Sequence, residues 1–218
     1  MEDIRLGDGA IDRGAFGEFL KERFSYEQCK PDDPKILECL IDLVSKHQKN
    51  SVASFLLDCA MLISKKFEFK EVSIGLRDKA DGLYKYGVIV GALPASQEAL
   101  KKIAYTYDDM ISDEKYPGFK IGRFSKYCMT ESAEPEQKTF NRPALVGKPR
   151  QSLDDFIEGD YIDTFMYGGG DELIGWVEVA SPKNGKIPDK ERLLLLELVV
   201  AMISRIVWER MYHREFIM

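Results

Sequence analysis

The sequence predicts an α+β domain built on an antiparallel sheet, and three observations carry that expectation. Alternating apolar and polar residues run through 72–76 and 84–92, and again through 161–167 and 173–180. Each pair is joined by a short turn-rich linker, the pattern of sequential hairpins and not of parallel crossovers. Apolar side chains at helical spacing bracket these strands at 51–66 and from 189 to about 211, so the helices segregate to the sheet's faces. The chain has 218 residues, 44% of them hydrophobic and 31% charged. That is ordinary for one folded domain with extensions, long enough to bury a sizeable core without cross-links.

At the start of the chain, residues 11–24 place Ile11, Ala15, Phe16, Phe19, Leu20 and Phe24 at helical spacing, weakened by Gly14 and Gly17. Asp33 as N-cap and Pro34 at the first helical position open a second helix over 34–48, striped by Ile36, Leu37, Leu40, Ile41 and Val44. Ser51 caps a third helix, 51–66, carrying Val52, Phe55, Leu56, Cys59, Leu62 and Ile63. Residues 1–50 are thus expected to be an N-terminal helical extension to a domain over 51–211, with 212–218 as a tail.

Within that domain Val72, Ile74 and Leu76 alternate with Ser73, Gly75 and Arg77. The turn at 78–82 leads back through Tyr84, Tyr86, Val88, Val90 and Ala92. Pro94 ends the hairpin, and Ser96 is expected to cap a helix bearing Leu100, Ile103, Ala104 and Tyr107. After Pro117 and Gly118, residues 119–128 read as one strand. Residues 129–155, with Pro135, Pro143 and Pro149, form the longest irregular segment, of the kind that is functional or mobile. A second hairpin crosses Gly168, Gly169, Gly170 and Asp171. Pro182, Asn184, Gly185 and Pro188 close the sheet, and Asp189 starts the last helix. That helix is apolar almost all round, so it is covered on more than one side. Leu194, Leu198 and Ile203 are expected on the sheet. Leu195, Val199, Met202 and Ile206 are expected at the interface of a homodimer formed through the terminal helices.

A net charge of −6 and a pI near 5.2 point away from nucleic acid and anionic membranes. Four cysteines without C-x-x-C spacing and two histidines make zinc or iron–sulfur chemistry unexpected. Cys39 and Cys59 fall on apolar helical stripes, where a reduced thiol acts as a small hydrophobe, and the reading is a cytoplasmic protein. Residues 1–7 have neither a basic nor an apolar leader segment, and no apolar run reaches membrane-spanning length. No phosphate-binding loop, nucleophile elbow or paired-histidine motif occurs. No cofactor is required by the sequence.

The run ELIGWVEVAS at 172–181 resembles a signature strand of GAF domains, an acidic residue followed by L-I-G and alternating hydrophobics. The turn at 184–189 and the terminal helix after it are similar too, so the resemblance covers about 51–211. It implies a GAF-like (profilin-like) sheet of about six antiparallel strands, with helices on one face and a pocket on the other, roofed by the irregular segment. It further implies a non-catalytic sensory module that binds a small molecule or a signalling partner protein and signals through its terminal helices, commonly as a dimer. The ligand-binding candidates are Tyr86, Arg123, Tyr127, Cys128, Tyr167 and Trp176. Tyrosines offer an apolar body with a polar tip, and Arg77, Arg123 and Arg142 could hold an anion by bidentate contacts. Cys128 has the basic neighbours Arg123 and Lys126, which favour a thiolate. Tetrapyrrole-binding members of the family attach their chromophore to a cysteine, and the plant type has histidine next; here Met129 follows. The alternative is a thiol redox enzyme on the same fold, resembling free methionine-(R)-sulfoxide reductase, which needs a resolving thiol or an external reductant beside Cys128.

Overall fold

In the computed structural model of the chain, residues 12–25, 38, 39, 41, 42, 44, 45, 51–130 and 150–212 are described. Helix α1 (Arg13–Arg23) starts where the Asp12 carboxylate accepts the N–H groups of Gly14 and Ala15. It buries Phe16 and Leu20, the Phe16 ring lying 5.6 Å from Phe119 and 5.7 Å from Tyr127. Of the helix expected over 34–48, the described residues Glu38, Cys39, Ile41, Asp42, Val44 and Ser45 are helical and the rest lie outside the described residues. Helix α2 (Val52–Lys66) is capped by Ser51, whose hydroxyl accepts the Ser54 N–H at 3.1 Å.

Strands β1 (Phe69–Arg77) and β2 (Tyr84–Val90) form the first hairpin. Beyond it the sequence expectation of one helix reaching Tyr107 fails. Helix α3 (Pro94–Leu100) has Pro94 in its first turn and Leu93, not Ser96, at its N-cap. The chain then extends as β3 (Ala104–Tyr105), pairing with the outer edge of β2 at Tyr84 and Lys85. A new helix, α4 (Tyr107–Ile111), starts at a capping box in which Thr106 and Asp109 satisfy each other's backbone N–H groups. Edge pairing to β2 outweighs the helical period of Ile103, Ala104 and Tyr107.

The single strand expected over 119–128 is also divided, into β4 (Phe119–Lys120) and β5 (Ser125–Cys128), which pair with each other. Glu197 of the last helix is the reason. Buried at 6% exposure, it accepts the Phe124 N–H at 2.7 Å and the Ser125 hydroxyl at 2.9 Å. A side chain at Gly122 would collide with it at 2.3 Å. Strands β6 (Tyr161–Tyr167) and β7 (Leu173–Pro182) make the last hairpin, and α5 (Lys190–Val207) follows, ending in a π-helical turn at Trp208–Tyr212.

Among the described residues the sheet has seven strands in the order β3-β2-β1-β7-β6-β5-β4, every neighbour antiparallel. On one face α1, α2 and α5 cover a core that includes Phe55, Ile63, Ile74, Ile162, Val177 and Val200. Leu195, Val199 and Ile206, expected at a dimer interface, are 8%, 0% and 7% exposed within the single chain, while Leu198, expected on the sheet, is 45% exposed. The helix is therefore rotated from the expected setting, and its own chain supplies the second cover. Met202 is half-buried.

One ionic clasp lies within this face. The Arg150 and Asp160 side chains are fully buried and pair at 2.9 Å. Asp160 also accepts the Tyr127 hydroxyl at 2.5 Å and the N–H groups of Thr130 and Ile157 at 2.9 Å each. Thr130 and Arg150 flank residues 131–149, so Asp160 holds the two ends of that segment together. The character of 131–149, the centre of the expected irregular loop, lies outside the described residues.

Candidate functional site

Among the described residues, the sheet face opposite the three helices is covered in part by a second cluster of Tyr84, Tyr86, Ile89, Leu100, Leu173 and Trp176. Its centre is Trp176. Strand alternation turns Val177 and Val179 into the helix-side core and Trp176 to this face. The indole lies against Gly75, its cross-strand partner, so closely that a Cβ there would sit 2.0 Å from Cη2. A β-bulge between Ile74 and Gly75 accompanies this approach.

Around the indole stand three tyrosines. Tyr86 meets Trp176 edge to face at 4.9 Å and 72°. Tyr105, delivered by β3, meets it at 5.8 Å and 85°, and Tyr116 meets Tyr105 at 5.9 Å and 82°. The rings enclose a cavity of about 40 Å³, into which Tyr161, Asp163, Phe165 and Glu178 also project. Asp163 and Glu178 are direct cross-strand partners on β6 and β7. The Tyr86 hydroxyl donates to Glu178 Oε2 at 3.0 Å. Burial pushes the Tyr86 hydroxyl well above its ordinary pKa, and the neighbouring Glu178 carboxylate pushes it further. Burial raises Tyr105 in the same way. At the rim, Lys126 donates to Asp113 at 2.8 Å and Lys115 to Asp109 at 2.5 Å.

Beside this cavity runs an open groove of about 330 Å³, lined by Lys120, Arg123, Lys126, Phe124 and Tyr167. The Arg123 guanidinium lies 5.4 Å over the Phe124 ring.

Of the six sequence candidates, Tyr86 and Trp176 meet in the cavity, and Arg123 and Tyr167 line the neighbouring groove. Tyr127 does not join them. It faces the helix-side core, bonded to Asp160 and packed on Phe16. Cys128 is 3% exposed, and Cys59 is buried in α2 with its thiol pushed up by desolvation. Arg77 is tied to Glu172, and Arg142 lies outside the described residues. The sequence reading missed Tyr105, Tyr116, Asp163 and Glu178. Asp163 and Glu178 were legible as cross-strand neighbours once the hairpin register was drawn. Tyr105 was hidden because it read as part of a helix. Among the described residues, no group of three or more His, Cys, Asp or Glu could hold a metal ion, and no helix is long and apolar enough to cross a membrane.

No protein-family model and no curated protein matches the sequence. Solved structures do match the fold. A GAF domain from an Acinetobacter phosphoenolpyruvate-protein phosphotransferase is similar with a TM-score of 0.53 and 13% identity, over 81% of this chain and 95% of that one. The GAF domain/HD domain protein from Geobacter sulfurreducens gives 0.51 and 12%, over 78% and 96%. Residues 122 to 287 of a methyl-accepting chemotaxis protein give 0.50 and 14%, over 79% and 97%. The chain has a GAF-like fold.

Proposed function

We propose, from the premise of a GAF-like fold, that this protein is a non-catalytic sensory module that binds a small molecule in the Tyr86–Tyr105–Trp176 cavity and signals through its terminal helices. The observation that carries this reading is the contrast between the two sheet faces. One is closed by α1, α2 and α5; the other, among the described residues, gathers aromatic rings with hydroxyl, carboxylate and Lys126 ammonium groups around a cavity. Convergent polar groups on an apolar lining are the usual form of a ligand site. The fold's occurrence in a phosphotransferase and a chemotaxis protein supports a regulatory role. A cavity of about 40 Å³ is far below the roughly 300–1,000 Å³ of pockets for drug-sized ligands, which argues against a tetrapyrrole in this conformation. The buried Cys128 and Cys59 argue against thiol redox catalysis, which needs an accessible thiolate.

The test is a screen of small anions, cations and neutral molecules read by Trp176 emission and by thermal midpoint. The expected result is a saturable response to one chemical class that is lost in Trp176→Phe. Failure of every compound to act through Trp176 defeats the reading. Association into a homodimer belongs to the same proposal. The apolar side chains left exposed on the two long helices, Leu57 and Met61 of α2 and Leu198 of α5, support it. Light scattering is expected to give twice the 24.9 kDa of one chain, reduced to one chain by Met61→Glu with Leu198→Glu; a monomer before mutation refutes it.

A further inference from the structure

We propose that the open groove beside the aromatic cavity is a second ligand site, one for a small aromatic carboxylate, and that it reports directly to α5. The inference goes beyond the cavity reading and does not depend on it. The first support is charge. Lys120, Lys126, Asp163 and Glu178 stand in direct register across β4, β5, β6 and β7, so one half of the row is basic and the other acidic. Lys126 is answered by Asp163 beside it and by Asp113, to which it donates at 2.8 Å. Lys120 and Arg123 line the groove, and among the described residues no ion pair involves either of them. Glu197, behind the turn that carries Arg123, is committed to Phe124 and Ser125. In a chain of net charge −6, the groove thus keeps an excess of basic groups.

The second support is the apolar lining. Phe124, Phe165 and Tyr167 share the groove with those basic groups. The Phe124 and Tyr167 rings lie 5.9 Å apart at 45°, and the Arg123 guanidinium lies 5.4 Å over Phe124. A ligand ring settling on these side chains buries apolar surface. Its carboxylate then takes the guanidinium, which can donate two parallel N–H bonds, and the Lys120 ammonium. A volume of about 330 Å³ falls within the roughly 300–1,000 Å³ of small-molecule pockets, whereas the aromatic cavity holds about 40 Å³. A cation meets an excess of like charge here, and an anion without a ring leaves the aromatic lining unused.

The third support is how the walls of the groove are fastened. Glu197 of α5 accepts the Phe124 N–H at 2.7 Å and the Ser125 hydroxyl at 2.9 Å, which ties the turn bearing Arg123 to that helix. Two helical turns further on, Ser204 donates to the Tyr167 carbonyl at 2.6 Å. Trp208, one more turn along, packs against Gly168. The groove is attached to α5 at both walls, so a ligand that draws Arg123 and Tyr167 together pulls on the helix at two points.

The experiment titrates benzoate, benzyl alcohol and acetate into the full chain. Calorimetry gives affinity, and the nitrogen-15 spectrum follows the two indole N–H resonances, assigned with Trp208→Phe. Benzoate is expected to bind roughly tenfold tighter than either other probe, and to move the Trp208 resonance more than that of Trp176. Arg123→Gln and Lys120→Gln, both at exposed positions, are each expected to weaken benzoate about three- to tenfold, with part of the loss restored by Arg123→Lys. Ser204→Ala is expected to keep the affinity and lose most of the Trp208 shift. Benzyl alcohol binding as tightly as benzoate overturns the anion assignment, and acetate doing so overturns the aromatic one. Benzoate affinity unchanged in both charge variants, or silence of all three probes, overturns the groove as a site and leaves the cavity reading to its own screen. A larger shift at Trp176 than at Trp208 moves the ligand into the aromatic cavity, which overturns the groove while supporting the cavity. Benzoate binding with Trp208 unmoved overturns the link to α5.

Discussion

Gly75 shows how a single missing side chain builds the candidate site. The Trp176 indole occupies the place a Cβ would take, 2.0 Å from Cη2, so Gly75→Val must displace the ring. Overpacking of this kind costs about 1–3 kcal/mol. The variant is expected to lower the unfolding free energy measured in urea by that amount and to shift Trp176 emission to the red; an unchanged spectrum would show that the ring does not depend on Gly75. A second residue-scale dependence lies under α1. Asp160 holds Arg150 in a place neither shares with water. Asp160→Ala leaves a guanidinium buried beside Phe16 and is expected to cost about 3–5 kcal/mol. Much of that loss comes from the stranded charge and little from the net worth of the pair. Arg150→Met with Asp160→Leu should therefore destabilise less than Asp160→Ala alone, and chemical denaturation of the two proteins decides the point.

Secondary elements were legible in the sequence where a periodic pattern and a cap coincided, as for α2 with Ser51 and α5 with Asp189. Both long hairpins were legible for the same reason, since alternation and turn residues agreed. The sequence misled where short elements answer to distant ones. β3 exists because the edge of β2 accepts Tyr105, and the β4–β5 hairpin bends beside Glu197, more than seventy residues on. No local period reports either partner. The candidate site divides in the same way. Trp176 and Tyr86 sit on legible strands; Tyr105 and Tyr116 lie where the local pattern gave the wrong element or none. The end of α5 illustrates a coupling between elements. Trp208 stacks on Tyr212 at 5.5 Å and covers Gly168 so closely that a Cβ would meet its ring at 2.1 Å. Ser204 donates to the Tyr167 carbonyl at 2.6 Å, and Tyr212 donates to that of Arg77 at 2.6 Å. Gly168→Ala is expected to lift Trp208 and to speed amide exchange over 204–212 while the central strands keep their protection. Equal acceleration in β1 and β7 would mean that the helix end and the β6–β7 hairpin do not form a separable unit.

Across the whole molecule the two sheet faces place tyrosine hydroxyls in similar electrostatic positions. Tyr86 on the cavity face and Tyr127 on the helix face are both pushed well above the ordinary tyrosine pKa, chiefly by burial and secondly by a carboxylate, Glu178 for one and Asp160 for the other. In the unfolded chain both ionise near pH 10. The folded protein therefore retains two protons that the unfolded chain releases once the pH passes about 10. Raised acid pKa values of this sign leave stability intact below that pH and remove it as pH rises toward the folded values. The slope is about 1.4 kcal/mol per pH unit for each tyrosine. Lys85, Lys115 and Lys186, held charged by their carboxylate partners, lose their contribution over the same range, so the comparison must be made between variants. Tyr86→Phe removes one hydroxyl without emptying the space, and the fall in urea midpoint between pH 9 and pH 11 is expected to become shallower by about one tyrosine's share. Absorbance at 295 nm should show Tyr86 ionising together with unfolding and not before it. Early ionisation, with the far-ultraviolet dichroism still native, would place its hydroxyl in contact with water and remove the premise that Tyr86 is buried in the folded protein.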